Sequence, residues 1–299
     1  MKLLVRFLLG SSLVLCLAIF SIGTHVYALT VPTGLTIAPV RTELQIVPGT
    51  VQTGQLTIYN MTTNDMNVTM DSEVFNVINE QYDYSFNATS PVAGWVQFDP
   101  TTTILAAGKS KTINYSVNVP AGAEPGGKYI SLFASTSIKS NNTAVNSSER
   151  VGSLLYITVS GNVSRTGYVL SLFTPWTMIN TSMWSATLHD GGTAHFASNY
   201  SMSVKTLWNT DVSSYSNSSL ILPKTIRLIQ GTIAEPKVPG IYKLVFIASL
   251  GDSSDAKLER YILYMPIYGW IIISIAVLFI VNRVIRIVQR RREKTKKTT

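Results

Sequence analysis

Ile113, Tyr115, Val117 and Val119 alternate with Thr112, Asn114, Ser116 and Asn118. In an extended chain successive side chains point to opposite faces, so this stretch reads as a strand with one face in a core and one in water. The same alternation runs through residues 56–58, 68–70, 130–132, 155–159 and 200–208. Turn formers stand between these runs, among them Pro48-Gly49, Asn64-Asp65, Pro125-Gly126-Gly127, Asp190-Gly191-Gly192 and Pro239-Gly240. Outside the two ends of the chain no window carries a long helical stripe. Many short strands joined by polar turns specify β-sandwiches.

Two sandwiches are expected. Residues 151–159 read as the closing strand of the first, and residues 161–167 as a short polar connection. A second set of strands starts at Tyr168 and closes with residues 241–247 and 257–262. This divides the chain into an immunoglobulin-like sandwich over 29–163 and a second over 168–260.

Residues 261–281 contain no charged side chain. About 20 apolar residues suffice for a helix to cross the hydrocarbon core of a bilayer, so the stretch reads as a transmembrane helix. Tyr264, Tyr268 and Trp270 stand at its leading end, where amphipathic rings favour the headgroup layer. Residues 282–299 are basic, and positive flanks remain in the cytoplasm. The expected architecture is an all-β ectodomain of two immunoglobulin-like β-sandwiches plus one C-terminal transmembrane α-helix.

At the N-terminus, Lys2 and Arg6 precede an apolar run over 7–20 and the small-residue site ending at Ala28. This is the pattern of a signal peptide over 1–28, cleaved after Ala28. The rival, a lipoprotein anchor on Cys16, would want Gly or Ala where Leu15 stands. Cys16 is the single cysteine, so the exported part is expected to fold without disulfides, which favours a bacterial surface protein over an animal receptor.

The net charge of +8 comes from the two ends. Between residues 29 and 263, 14 Lys and Arg face 15 Asp and Glu. A nucleic-acid partner therefore has no electrostatic support.

Within the first unit, residues 37–49 followed by 54–60 resemble the opening of PapD-like immunoglobulin folds. The series Pro48-Gly49, Tyr59-Asn60, Trp95-Val-Gln-Phe-Asp-Pro100, residues 120–129 and residues 154–161 resembles the WxL-interacting protein family of Gram-positive surfaces. That resemblance implies a peptidoglycan-binding immunoglobulin-like domain, a second such domain that binds a secreted cell-wall protein, a membrane span and a basic tail. It covers nearly the whole chain and is strongest over the first domain. No Trp-x-Leu tripeptide occurs, so the chain does not resemble the cell-wall partner itself.

Residues able to do chemistry are scarce. His189 and His195 flank Asp190-Gly191-Gly192; a hairpin there would bring two imidazoles and a carboxylate together. With no fourth protein ligand, and with Asp-Gly-Gly explained as turn chemistry, no metal is assigned. A Gly-x-Ser-x-Gly elbow and a catalytic thiol are both lacking, and Asp71 with Glu73 and Asp252 with Asp255 read as solvated charges. No cofactor is expected, and the inventory does not describe an enzyme. Leu222-Pro-Lys-Thr-Ile226 approaches a sortase signal but has Ile where Gly is required, and a proline leading into a strand accounts for it. Asn-x-Ser/Thr sequons occur at Asn60, Asn67, Asn87, Asn114, Asn141, Asn146, Asn162, Asn180, Asn199 and Asn217. Either chance pairing in a chain rich in Asn, Ser and Thr, or a glycosylated adhesion receptor, accounts for them.

One group is a candidate ligand surface. Tyr82, Tyr84 and Phe86 alternate, and in an extended chain all three face one side, as a sugar-stacking row or as a core face. The expected function is binding: a single-pass protein that holds peptidoglycan or a secreted protein partner near the cell membrane.

Overall fold

A computed structural model describes residues 34–138 and 147–296; the expected signal peptide lies outside the described residues. The first sandwich opens with β1 (Leu35–Ala38), β2 (Arg41–Ile46), β3 (Val51–Asn60), β4 (Met66–Val77) and β5 (Tyr84–Asn87). After a 3-10 turn at Ala93–Trp95 come β6 (Val96–Asp99), β7 (Thr102–Leu105), β8 (Ser110–Asn118), β9 (Gly126–Ile138) and β10 (Ser147–Val159). One sheet has the order β1-β3-β8-β6; the other runs β2-β10-β9-β4-β5, with β7 also on β4. Pro39 separates β1 from β2, and the chain changes sheets there: β1 pairs antiparallel with β3, β2 parallel with β10. A residue without an N–H cannot continue a ladder, so it is a natural place for the switch.

The second sandwich contains β11 (Gly167–Phe173), β12 (Thr177–Met178), β13 (Ser182–Asp190), β14 (Phe196–Lys205) and β15 (Asp211–Ile221). It continues with β16 (Ile226–Ile233), β17 (Gly240–Leu250) and β18 (Ser253–Tyr264). Its sheets have the orders β11-β13-β16 and β12-β18-β17-β14-β15. The helix α1 (Ile267–Lys296) follows, and its segment Ile267–Ile287, with mean hydropathy 2.1, is long and apolar enough to cross a membrane.

The period of two in β8 is realised as a core face. Ile113, Tyr115, Val117 and Val119 are buried with Leu56, Ile58, Ile130, Leu132, Leu155 and Ile157, while Thr112, Asn114 and Asn118 are exposed. Burying each such aliphatic side chain contributes about 1.5–3 kcal/mol, and no disulfide supplements the core. A second core surrounds Trp184, which contacts Tyr200, Tyr215 and Phe246 edge-on or tilted.

Three sequence expectations are corrected. The run expected as a strand to residue 208 ends at Lys205, and Trp208 stands 85% exposed in the turn. The uncharged stretch 261–281 is two elements: Ile262 and Tyr264 are buried core residues of β18, and the helix begins only after Pro266. Lack of charge suits both a buried strand and a membrane helix, so hydropathy alone does not separate them. Asp190-Gly191-Gly192 makes no hairpin, because β13 and β14 lie in different sheets.

Candidate functional site

The two sandwiches meet through a third apolar cluster. Phe75, Tyr82 and Tyr156 of the first pack with Leu220 and Leu222 of the second, and Tyr84, Tyr129 and Leu154 border them. This explains why β10 is buried on both faces. Ile157 and Val159 enter the core of the first sandwich, while Tyr156 and Thr158 are buried on the side that meets the second. Polar contacts fix the register: Leu228 N–H donates to the Glu80 carbonyl at 2.8 Å and Gly127 N–H to the Thr193 carbonyl at 2.8 Å. At Gly126, φ is +124° and an added Cβ would lie 2.7 Å from the Thr193 carbonyl oxygen, so both conformation and close approach require glycine.

Tyr82 is part of this interface. It has φ of +69° and lies outside β5, which breaks the expected row with Tyr84 and Phe86. Its ring is 6% exposed, its hydroxyl accepts from Leu222 N–H at 2.9 Å and lies 2.8 Å from Thr225 Oγ1, and the Arg227 guanidinium stacks on it at 4.1 Å. Tyr84 is half-buried, 5.1 Å from Phe75. Phe86 is 43% exposed and meets Phe133 edge-on at 5.1 Å. Arg150 lies 3.5 Å from the Phe133 ring and is paired with Asp71 at 2.8 Å and Glu73 at 2.5 Å. The Asp71 and Glu73 carboxylates thus hold one guanidinium.

Beside the apolar cluster lies an open groove of about 340 Å³, lined by Glu43, Leu44 and Gln45 of β2, Thr158 of β10, and Arg165, His195, Phe196, Ala197 and Leu220. β2 is the outer strand of its sheet. Leu154 N–H donates to Val40 O and Ser160 N–H to Ile46 O, so the even-numbered residues of β2 bond to β10. By parity, the N–H and C=O groups of Arg41, Glu43 and Gln45 point away from β10, along an edge that is unpaired among the described residues.

Arg165, on the connection between sandwiches, donates through Nε to the His195 carbonyl at 3.2 Å; its backbone N–H is held by Asp252 Oδ2 at 3.1 Å. His195 is 7% exposed, with Tyr129 and Tyr156 edge-on at 5.5 and 5.3 Å and Glu43 Oε2 4.0 Å from Nε2. Burial lowers its pKa, and the positive charge of Arg165 and Arg41 adds to this against the opposing pull of Glu43. Asp190 is fully buried, and burial raises its pKa to about 7 against the Gly192 hydrogen bond and the Arg165 charge. Its Oδ1 accepts from Gly192 N–H at 2.7 Å, and Oδ2 has no hydrogen-bond partner among the described residues. His189 stacks on Tyr168 at 4.7 Å in another sheet, so the two histidines and Asp190 do not converge; among the described residues no cluster of three possible metal ligands occurs.

The sortase-like segment is the turn from β15 to β16, with Thr225 Oγ1 donating to Leu222 O at 2.8 Å. Asn60 is fully buried and donates to the carbonyls of Asn64 and Leu105 at 2.7 and 3.0 Å, a structural role unrelated to a sequon. Asn67, Asn87, Asn114, Asn162, Asn180, Asn199 and Asn217 are exposed, while Asn141 and Asn146 lie outside the described residues. The groove itself escaped sequence reading. Its one local signal was Arg165, the sole charge in the connection 161–167.

No protein-family model matches the chain, and no curated protein matches it in sequence. Among solved structures it is similar in fold to the class 5 fimbriae chaperone CfaA, at 10% identity and TM-score 0.42, over 77% of this chain and 99% of that one. It is also similar to the Salmonella enterica SafA pilin–SafB chaperone structure, at 13% identity and TM-score 0.38, over 77% and 97%. A PapD-like domain of human CEP192 matches at 17% identity and TM-score 0.30, over 47% and 96%. The two β-sandwiches are established by their own sheet topology. At these identities and scores the likenesses carry no functional argument, and the functional reading rests on the groove.

Proposed function

We propose that this chain is a membrane-anchored surface protein of a bacterium that binds a protein partner by taking an extended segment into the groove between its sandwiches. The supporting observation is the edge of β2 at Arg41, Glu43 and Gln45, unpaired among the described residues, beside a pocket with an apolar floor at Phe196 and Leu220 and charge at Arg165 and Glu43. Edge backbone groups give affinity to an added strand, and alternate pockets select its side chains. Binding, without chemical turnover, is the whole activity in this reading.

Peptidoglycan is the second ligand considered. It is implied by the family resemblance; of the aromatic row that could stack on sugar, Tyr82 is buried, Tyr84 half-buried and Phe86 exposed. The test places a photocrosslinking amino acid at Gln45 in the full chain on intact cells, in parallel with sedimentation of the detergent-solubilised chain with purified peptidoglycan. A discrete crosslinked polypeptide that disappears in Leu220→Arg supports the groove reading. Sedimentation with wall material and no polypeptide adduct would replace it with wall-polymer binding.

A further inference from the structure

The most exposed large apolar side chains of the second sandwich, Trp176 and Trp208, stand in connections near one end of it, while Tyr168, Leu170 and Ile247 are exposed elsewhere on its strands. Strand pairing fixes which end: Thr177 and Met178 of β12 pair with Leu263 and Tyr264, and Gly240 of β17 also pairs with Tyr264. Leu263 N–H donates to Trp176 O at 2.9 Å, and Met265 N–H to Met178 O at 2.9 Å. Residues 174–181 and 234–239 therefore lie level with the last residues before α1. Lys205, the end of β14, pairs with Lys243, and the turn over 206–210, closed by Thr206 N–H to Thr210 O at 2.9 Å, lies on the side of that pair that leads along β17 to Gly240.

These three connections carry Trp176 at 81% exposure, Trp208 at 85%, Val238 at 63%, Leu207 at 53% and Ile179 at 50%. At the opposite end the connections are polar: Asp190-Gly-Gly-Thr, Pro223-Lys224-Thr225 and Gly251-Asp252. Exposed aromatic and aliphatic groups thus stand on three separate loops near one level, and contact with water gives such groups no stabilisation. Two residues, Met265 and Pro266, separate this end from the first turn of α1, where Tyr268 and Trp270 are exposed. Trp rings favour the interface between headgroups and acyl chains, and the loop beside them carries Glu235 and Lys237, which cancel in charge.

The geometry points to a membrane-seating collar: the loops carrying Trp176, Ile179, Leu207, Trp208 and Val238 enter the lipid interface around the start of α1 and hold the second sandwich upright on the bilayer. This rests on the reading of α1 as a membrane anchor. A single anchoring helix leaves a globular domain free to tilt about its two-residue joint. A collar of loops removes that freedom and fixes the direction in which the interdomain groove opens.

The test uses the full chain with Cys16→Ser, reconstituted in vesicles of phosphatidylethanolamine and phosphatidylglycerol. Single cysteines at Leu207, Ile179, Asn162 or Val277 carry an environment-sensitive fluorophore, and some vesicles contain lipid with a nitroxide at headgroup depth. The collar requires blue-shifted emission and several-fold stronger nitroxide quenching at 207 and 179 than at exposed, remote Asn162. Trp176→Ser with Trp208→Ser should abolish the difference. If 207 and 179 behave like 162 while acyl-chain nitroxides quench 277, α1 is an anchor and the collar is wrong. Blue-shifted emission at 207 without nitroxide quenching means a protein surface, such as a second copy, covers the loops, and overturns the proposal. Accessibility of 277 to aqueous quencher would instead remove the anchor reading, and the collar with it.

Discussion

The Tyr129 hydroxyl lies 3.2 Å from the backbone nitrogen of His195 and 3.2 Å from its ring Nδ1, joining the two sandwiches through one oxygen. The backbone N–H can only donate, so the hydroxyl accepts there, and its own proton is free to donate to Nδ1. In the tautomer that takes this bond, the ring proton of neutral His195 sits on Nε2, on the side of Glu43. Burial keeps the Tyr129 phenol protonated far above its usual range, so the arrangement persists at all working pH values.

Tyr129→Phe leaves a buried N–H and Nδ1 without their partner while preserving the ring contacts with Phe75 and Tyr156. A loss of about 1–3 kcal/mol is expected, read as a lower melting temperature of the full chain. An unchanged melting temperature would mean that water replaces the hydroxyl at no cost.

Asp190 predicts a pH dependence of definite sign. Folded, its carboxyl keeps a proton up to about pH 7; unfolded, it loses that proton near pH 4. The folded state binds the extra proton between those values, so this group's stabilisation is complete below about pH 4 and is lost as pH rises to 7. His195 acts in the opposite direction: its lowered pKa lets the unfolded chain take the proton first, so stability falls as pH drops below about 6.5. Asp190→Asn keeps an oxygen to accept from Gly192 and cannot ionise. Its stability relative to the unsubstituted protein should rise by about 2–4 kcal/mol between pH 4 and pH 8 in denaturation series, the upper value being the full rise from about 4 to about 7, and a flat difference would contradict the raised pKa.

Period-two patterning identified sandwich strands because each of those strands, β8 above all, has one face in its own core and one in water. It failed at the interface for the same reason. Tyr156 and Thr158 occupy the face of β10 that the pattern assigns to water, and only the second sandwich, distant in sequence, buries them. Asp190-Gly191-Gly192 looked like a hairpin because its residues suit any reversal; which sheet the next strand joins is decided by tertiary pairing. Tyr82 looked like a strand residue, yet its left-handed backbone turns the ring away from Phe86, and no local propensity of tyrosine signals this. The groove is built from residues 43 to 220, so no single window of sequence contains it.

Tyr82 and Phe86 should separate sharply on substitution. Tyr82→Ser removes a buried ring stacked by Arg227 and leaves Leu222 N–H unpaired, an expected loss of about 3–5 kcal/mol. Phe86→Ser removes a half-open ring at the edge of β5, with an expected loss of about 1 kcal/mol. Thermal unfolding of each variant decides the matter, and equal losses would contradict the interface role of Tyr82.

The start of α1 makes a last prediction about anchoring. Pro266 precedes the first helical residue, and its carbonyl accepts from Gly269 N–H at 2.8 Å, so its own missing N–H breaks no helical bond. Pro266→Ala should leave membrane fractionation unchanged. Ile275 lies within the apolar segment, where its N–H belongs to the i→i−4 ladder and, in a bilayer, would have no water to replace that bond. Ile275→Pro removes that bond and places the ring against the carbonyl of residue 271, a disturbance of about 3 kcal/mol or more. The variant should shift from the carbonate-resistant membrane fraction toward the extractable one. If Ile275→Pro and Pro266→Ala fractionate alike, either the helix does not span the bilayer or it does not begin where Pro266 places it. Cysteine accessibility at residues 268 and 277 tells those two cases apart.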